Sequence, residues 1–300
     1  MLNIIGKRKI YYAISGVFIA ASFISFALWG LNFGIDFKGG SVLEINYSQR
    51  PDLNSVSESL KMLNLNDLRV SPIGSNGIVL RFRETGEQTH QSIITALSGY
   101  ALENKIEIDE RRFSSVGPTI GAELKQKSIK AIIIVIFGIS IYIAWAFRKV
   151  SQPVSSWRYG VVTLVALFHD LIIPIGLFAY LGRFYGVEVG SSFIVALLVI
   201  LGFSVHDTIV VFDRIRENLK RYAEVNFTAL VNQSIGETLV RSLNTSLTVL
   251  LTLSALYIFG GEGLQYFVLA LMVGIFSGTY SSIFIAAPLL VTWFHILKKS

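Results

Sequence analysis

Gly190 to Asn218 reads GSSFIVALLVILGFSVHDTIVVFDRIREN. From Val189 to Phe212 nearly every residue is apolar or small, a run long enough at about 1.5 Å per residue to cross the roughly 30 Å hydrocarbon layer of a bilayer. It predicts a transmembrane helix. Inside that helix, before the charges of Asp213, Arg214 and Arg216, lie His206 and Asp207. An ionisable group there is disfavoured by roughly 3 kcal/mol on insertion scales, so something must offset the cost.

The rest of the chain agrees with a membrane setting. Of its 300 residues 52% are hydrophobic and 15% charged, whereas a soluble domain carries about 25% charged residues. The net charge of +6 does not indicate nucleic acid, because the Lys and Arg residues sit beside apolar runs rather than in a patch among polar ones. With no cysteine, disulfides, thiolate catalysis and thiolate metal sites are excluded. A transport component is expected, not an enzyme, with no metal site and no cofactor beyond a coupling proton.

Further apolar runs lie at Ile10–Phe33, Ile129–Phe147, Tyr159–Leu181, Leu243–Gly260 and Leu264–Leu297, which makes six spans. The first is too long for a signal peptide and lacks a small-residue cleavage site. The last is overlong and is expected to tilt or to end near Trp293. Lys7, Arg8 and Lys9, then Arg148, Lys149 and Arg158, then Arg214, Arg216, Lys220 and Arg221, and finally Lys298 and Lys299 fall on one side. The opposite turns offer only Arg183, against Glu188 and Glu262. The positive-inside rule therefore places both termini in the cytoplasm of a multi-pass protein of the cytoplasmic (inner) membrane. Three parts follow: 1–33, the N-terminus with the first span; 34–125, a domain outside; and 126–300, five further spans.

The outer segment has its own pattern. Leu43, Ile45 and Tyr47 share one face of a strand from Ser41, and Leu53, Val56, Leu60 and Leu63 recur at helical spacing behind an Asp52 cap. Leu68–Ile73 and Ile78–Arg83 read as strands around the turn Gly74 to Gly77, a helix with Ile93, Ile94, Leu97 and Ala101 follows, and then a strand from Ile106 to Phe113. The order β-α-β-β-α-β predicts an α+β ferredoxin-like domain, with Pro72 tolerable on an edge strand. Between the fourth and fifth spans, Leu219, Tyr222, Phe227, Leu230, Val231, Ile235 and Leu239 stand among charges at about 213–241. That pattern predicts an amphipathic helix on the inner leaflet.

Asp207 has a natural partner in Arg241, at the mouth of the next span, whose long side chain can snorkel along the helix. Burial would favour a protonated carboxyl and a nearby guanidinium an ionised one, so motion of Arg241 would load or release a proton. The plainer alternatives are a carboxyl buried for packing and an interfacial arginine obeying the charge rule. His169 and Asp170 form a second pair one turn before Pro174; they either line a hydrated cavity or hydrogen-bond as neighbours. Gly274, Gly278 and Ser282 form a small-residue ridge that, with the polar fifth span, a second six-span half is expected to cover. Ser242, Asn244, Thr245, Ser246 and Thr248 make a polar stripe that water or a partner helix should face.

Four segments carry a resemblance: GIDFKGG from Gly34 to Gly40, VGPTIGAELK from Val116 to Lys125, FSVHDTIVVFDRIREN in the fourth span and RSLNTSLT opening the fifth. Together they resemble the SecD and SecF family of the bacterial and archaeal protein-export machinery, within the resistance-nodulation-division superfamily. The resemblance implies half of such a transporter: six transmembrane helices with a soluble domain between the first two, completed by a SecD-type partner. It implies the Sec protein-conducting channel, preproteins and the lipid bilayer as partners, without nucleic acid. It assigns proton conduction to Asp207 and Arg241; the residues themselves offer His206, His169, Asp170, Asn244 and Thr245 as accessory polar candidates. Gly34, Asp36, Lys38, Gly39, Gly40, Gly117, Pro118, Gly121 and Glu123 become structural signature residues. The fold alone leaves open a half-transporter that moves a lipid or small amphiphile by proton antiport.

Overall fold

The computed structural model describes residues 3–148, 154–221 and 226–299; Lys149 and Tyr222 of the predicted basic and amphipathic segments lie outside these. The apolar runs fold as helices long enough to cross a bilayer, six in all among the described residues: Ile5–Trp29, Pro118–Ala146, Ser156–Tyr185, Ser191–Arg221, Phe227–Phe259 and Gly263–Ile296. As elements they are α1 (Arg8–Trp29), α5 (Pro118–Ala146), α6 (Ser156–Tyr185), α7 (Ser191–Arg221), α8 (Phe227–Phe259) and α9 (Glu262–Ser281). α9 runs through a π-helical turn, Ser282–Ala286, into α10 (Ala287–Lys299).

The last apolar stretch, Gly263–Ile296, ends three residues past Trp293, while its helix runs on to Lys299 with the π turn in its path. Two expectations change here. α1 ends at Trp29 instead of Phe33, because Gly30 takes a positive φ of 62° that leaves the helix. The separate amphipathic helix at 213–241 is absent from the described residues. Asp213–Arg221 is the end of α7 and Phe227–Arg241 the start of α8, whose N-terminus is capped by Asn226 (Oδ1 to the Thr228 N–H, 2.9 Å). The apolar residues that suggested insertion into the leaflet, Phe227, Leu230, Val231 and Ile235, are buried within the protein along with Ile215 of α7. Buried Asn218 joins the two helices through Ser234 (2.9 Å) and Glu237 (2.8 Å), and Arg214 reaches Glu237 at 2.5 Å.

The helix bundle, Met1–Asn32 with Ile129–Ser300, is one compact unit, and Phe33–Ser128 is the other. Its second unit extends one residue before and three beyond the predicted 34–125. Within that unit β1 (Gly40–Tyr47), α3 (Leu53–Ser59), β2 (Arg69–Ile73), β3 (Gly77–Phe82), α4 (Glu87–Glu103) and β4 (Ile108–Val116) follow in the predicted order. The sheet order is β2-β3-β1-β4 and every pair is antiparallel, as the ferredoxin-like topology requires. Leu43 pairs with Leu80 and Ile45 with Ile78 of β3, and with Tyr47 and Phe82 they bury against Val56, Leu60, Ile93 and Leu97. Asp52 caps α3 through the Ser55 N–H (3.1 Å), and Pro72 lies on edge strand β2. His90 of α4 sits between Glu87 and Glu110 at 3.0 Å each and stacks on Phe113 of β4.

Glu84, just past β3, yields a prediction. Burial pushes its carboxyl up, but hydrogen bonds from the Asn66 backbone N–H (2.9 Å) and side-chain amide (2.6 Å) outweigh this and hold it below its ordinary value of 4.5. A depressed carboxyl stabilises the fold above its unfolded value, and that contribution disappears as pH falls through the folded one. Acidification below about pH 4.5 is therefore expected to lower the protection of amides around Asn66, measured against their intrinsic exchange rate at each pH. In Glu84→Gln that acid dependence should vanish, and identical acid profiles for both chains would show the contact to be energetically silent.

Candidate functional site

Asp207 lies in the middle of α7 and is 1% exposed. Its Oδ2 faces the hydroxyls of Ser246 on α8 (3.4 Å) and Thr279 on α9 (3.3 Å), which are themselves 2.5 Å apart. His206 Nδ1 stands 3.6 Å from Oδ1, while the rest of that side chain is 57% exposed. The carboxyl is thus enclosed by three helices and touches an imidazole that reaches the protein surface. Hydroxyls can donate to an ionised carboxylate or accept from a protonated one, so this surrounding suits either state.

The expected pairing with Arg241 is not formed. Arg241 is exposed and has no ion pair among the described residues. Ser246, which does reach Asp207, lies five residues further along α8, about 7.5 Å up the axis and about 140° round it. The helix turns its buried side, Ser242 and Ser246, toward the bundle and leaves Arg241, Asn244 and Thr248 on the exposed side. Thr245 donates to the Arg241 carbonyl (2.9 Å).

His169 and Asp170 on α6 are buried, 2% and 0% exposed. Asp170 is faced by His169 Nδ1 (2.8 Å), Ser204 of α7 (2.5 Å), and Ser277 (3.2 Å) and Ser281 (2.7 Å) of α9. His169 Nε2 meets Ser15 of α1 at 3.1 Å. Ser15, Ser204, Ser277 and Ser281 were not singled out in the sequence; the signal was there as hydroxyls inside apolar runs, but only folding shows which carboxyl they serve.

The small-residue ridge, expected to be covered by a second six-span half, has its partner inside this chain, because α7 already fills that face. A Cβ on Gly274 would lie 2.2 Å from Ile200, one on Gly278 would lie 3.0 Å from Ser204, and Ser282 bonds Thr208 (2.8 Å). α9 therefore packs on α7 through that ridge, between the two carboxyls.

The signature residues form a clasp within the outer unit. Gly39 (φ 78°) and Gly40 (φ 116°) occupy left-handed conformations, and a Cβ on them would meet the Pro118 backbone at 2.7 Å and the Phe82 carbonyl at 2.8 Å. A Cβ on Gly121 would lie 3.1 Å from the Phe37 and Gly39 backbones. GIDFKGG and VGPTIG are thus packed backbone on backbone, with Lys125 over the Phe33 ring at 4.3 Å. Gly34 is buried and Gly117 half-buried; Asp36 and Lys38 lie in the helical turn α2 (Ile35–Lys38), and Glu123 is exposed and paired with Lys127 (2.8 Å).

Comparison with known proteins agrees with this architecture. The model of the family "Protein export membrane protein SecD/SecF, C-terminal" matches residues 98–295, and that of the "SecD/SecF GG Motif" matches residues 25–49. The chain is 44% identical to the protein translocase subunit SecF of Thermobaculum terrenum, over 98% of this chain and 94% of the relative. It is 41% identical to that of Anaerolinea thermophila with the same coverage. Among solved structures, SecDF of Thermus thermophilus, described as a translocon-associated membrane protein, superposes with a TM-score of 0.81 at 30% identity over 97% of this chain. SecDF in a super-membrane-facing form gives 0.70 at 30% identity. The chain spans 38% and 39% of those two longer chains. The six-span bundle with a ferredoxin-like domain after its first span places the chain among the protein-export membrane proteins of that family model. This chain belongs to the SecF branch of the SecD/SecF family, the protein translocase subunits, and is a multi-pass protein of the cytoplasmic membrane.

Proposed function

We propose that this chain, with a SecD-type partner, uses the proton gradient to promote preprotein translocation across the cytoplasmic membrane. The observation that carries the reading is Asp207, a carboxyl enclosed at mid-helix by hydroxyls of two other helices. A group there that exchanges a proton changes the charge at the centre of the bundle, and that change biases how the surrounding helices pack. Arg241 is its proposed counter-ion in a second arrangement, in which α8 or the arginine side chain moves toward α7. The partner half is supported by the SecDF structures, in which the matched region is about two fifths of one longer chain. The names of the relatives favour export over lipid antiport.

Translocation into membrane vesicles tests the function. Vesicles holding this chain, its partner and the export channel should respond to an imposed gradient, and vesicles lacking this chain should not. Equal responses would remove the export reading. The proposed orientation, both termini cytoplasmic, is tested separately by reporters fused after Ser75, in the β2–β3 turn. An extracytoplasmic reporter is expected, and a cytoplasmic one would invert the topology.

A further inference from the structure

We propose that His169 is a second proton-binding site of this chain, taking and releasing the proton at Nε2 while Asp170 stays ionised as its fixed counter-charge. A carboxylate has about four lone-pair positions, and Asp170 has four donors aimed at it: His169 Nδ1 and the hydroxyls of Ser204, Ser277 and Ser281. A proton on Asp170 would require one of these hydroxyls to turn and accept instead of donate. Pro174 adds to the negative character, because it has no N–H to give the Asp170 carbonyl four residues before it. A carboxylate buried at this depth requires a compensating cation, and His169 is the one ionisable cation bonded to it among the described residues.

The hydrogen bond beyond His169 has two consistent settings. His169 Nε2 and the Ser15 hydroxyl are 3.1 Å apart. With the imidazolium, Nε2–H donates to Ser15; with the neutral ring, the Ser15 hydroxyl donates to the Nε2 lone pair. One proton gained or lost at Nε2 therefore reverses this bond between α6 and α1 without breaking it.

From α1 the pair is faced by Ser15, from α7 by Ser204, and from α9 by Ser277, Tyr280 and Ser281; of these Tyr280, stacked on His169, is the titratable one. Asp207 shares no side-chain hydrogen-bond partner with either residue among the described ones. A groove of about 440 Å³ lined by Ile14, Phe18, Ile173, Ser277 and Tyr280 reaches the imidazole, with Phe18 exposed at its rim. Proton binding at His169 stands on this geometry alone; its use in export rests on the function proposed above.

The test is nitrogen NMR of the full chain with its partner in bilayers, labelled at histidine. The chain has four histidines, so the His169→Gln difference spectrum assigns the signal. A ring with both nitrogens protonated is expected at low pH, converting to a neutral ring as the pH rises. Asp170→Asn should lower the midpoint by a unit or more, and Ser15→Ala, which keeps the packing, should also move it. A ring that is neutral at every pH, or a midpoint unmoved by Ser15→Ala, overturns the proposal. Asp207→Asn separates the two readings: it should leave this titration in place. If that variant exports normally, the proposed function fails while the histidine result stands. If His169 does not titrate, this inference fails alone.

Discussion

Vesicles carrying Asp207→Asn are expected to lose the stimulation of preprotein translocation by an imposed proton gradient, while ATP-driven translocation continues. Asparagine keeps the shape of the side chain and can still bond Ser246 and Thr279, so folding and membrane abundance should survive. What it removes is the exchangeable proton. One charge moved across about 200 mV is worth roughly 4.6 kcal/mol, enough to bias a two-state equilibrium by more than a thousandfold. Loss of that bias should leave the response near the level seen without a gradient. Arg241→Ala is expected to behave alike, although Arg241 stands away from Asp207 in this arrangement, because the proposed cycle needs the guanidinium only in the other. A full gradient response from the Asp207→Asn vesicles would make Asp207 a packing residue.

Gly274→Leu is expected to prevent stable assembly of the bundle. Even a Cβ at this position would sit 2.2 Å from the side chain of Ile200, which is buried, so α9 must move away from α7. Overpacking a core costs typically 1–3 kcal/mol and more where backbones cannot part. Here separation would also stretch the hydroxyl contacts of α9 with Asp170 and Asp207. Gly274→Ala with Ile200→Ala should recover part of the loss, since the second change opens the space that the first fills. Membrane abundance and resistance to mild proteolysis measure both. Unchanged abundance and protease resistance in Gly274→Leu would show that α7 and α9 do not need this close approach.

The six spans and the outer domain were legible because apolar runs and alternation are local. Leu43, Ile45 and Tyr47 announce one buried face of β1, and Asp52 announces a helix start, whatever lies elsewhere in the chain. The sites were legible only in their ionisable members. Asp207, His169 and Asp170 stand out against apolar sequence, but which hydroxyls surround them depends on helix phase and on which helices are neighbours. Arg241 shows the limit of reading along the chain: closeness to the expected mouth of the fifth span suggested a pair, but α8 begins well before it and the phase of that helix sets it on the exposed side. The ridge of Gly274, Gly278 and Ser282 was visible as a pattern, yet nothing in the pattern says that its partner is α7. The charged stretch at 213–241 misled because its apolar residues face a neighbouring helix, which is indistinguishable in sequence from facing lipid.

The wide turn at Ser282–Ala286 gives the last span one residue more than an α-helix of the same length needs. A surplus residue of this kind lets the two halves of one continuous helix keep different angular settings. Ser277, Thr279 and Ser281 can hold their orientation toward the two carboxyls while Pro288 to His295 keep theirs at the other end. Removing one residue from the turn would cancel that independence, rotating one half against the other by about 100°. The span is thus articulated without being broken, as a shaft is by a universal joint.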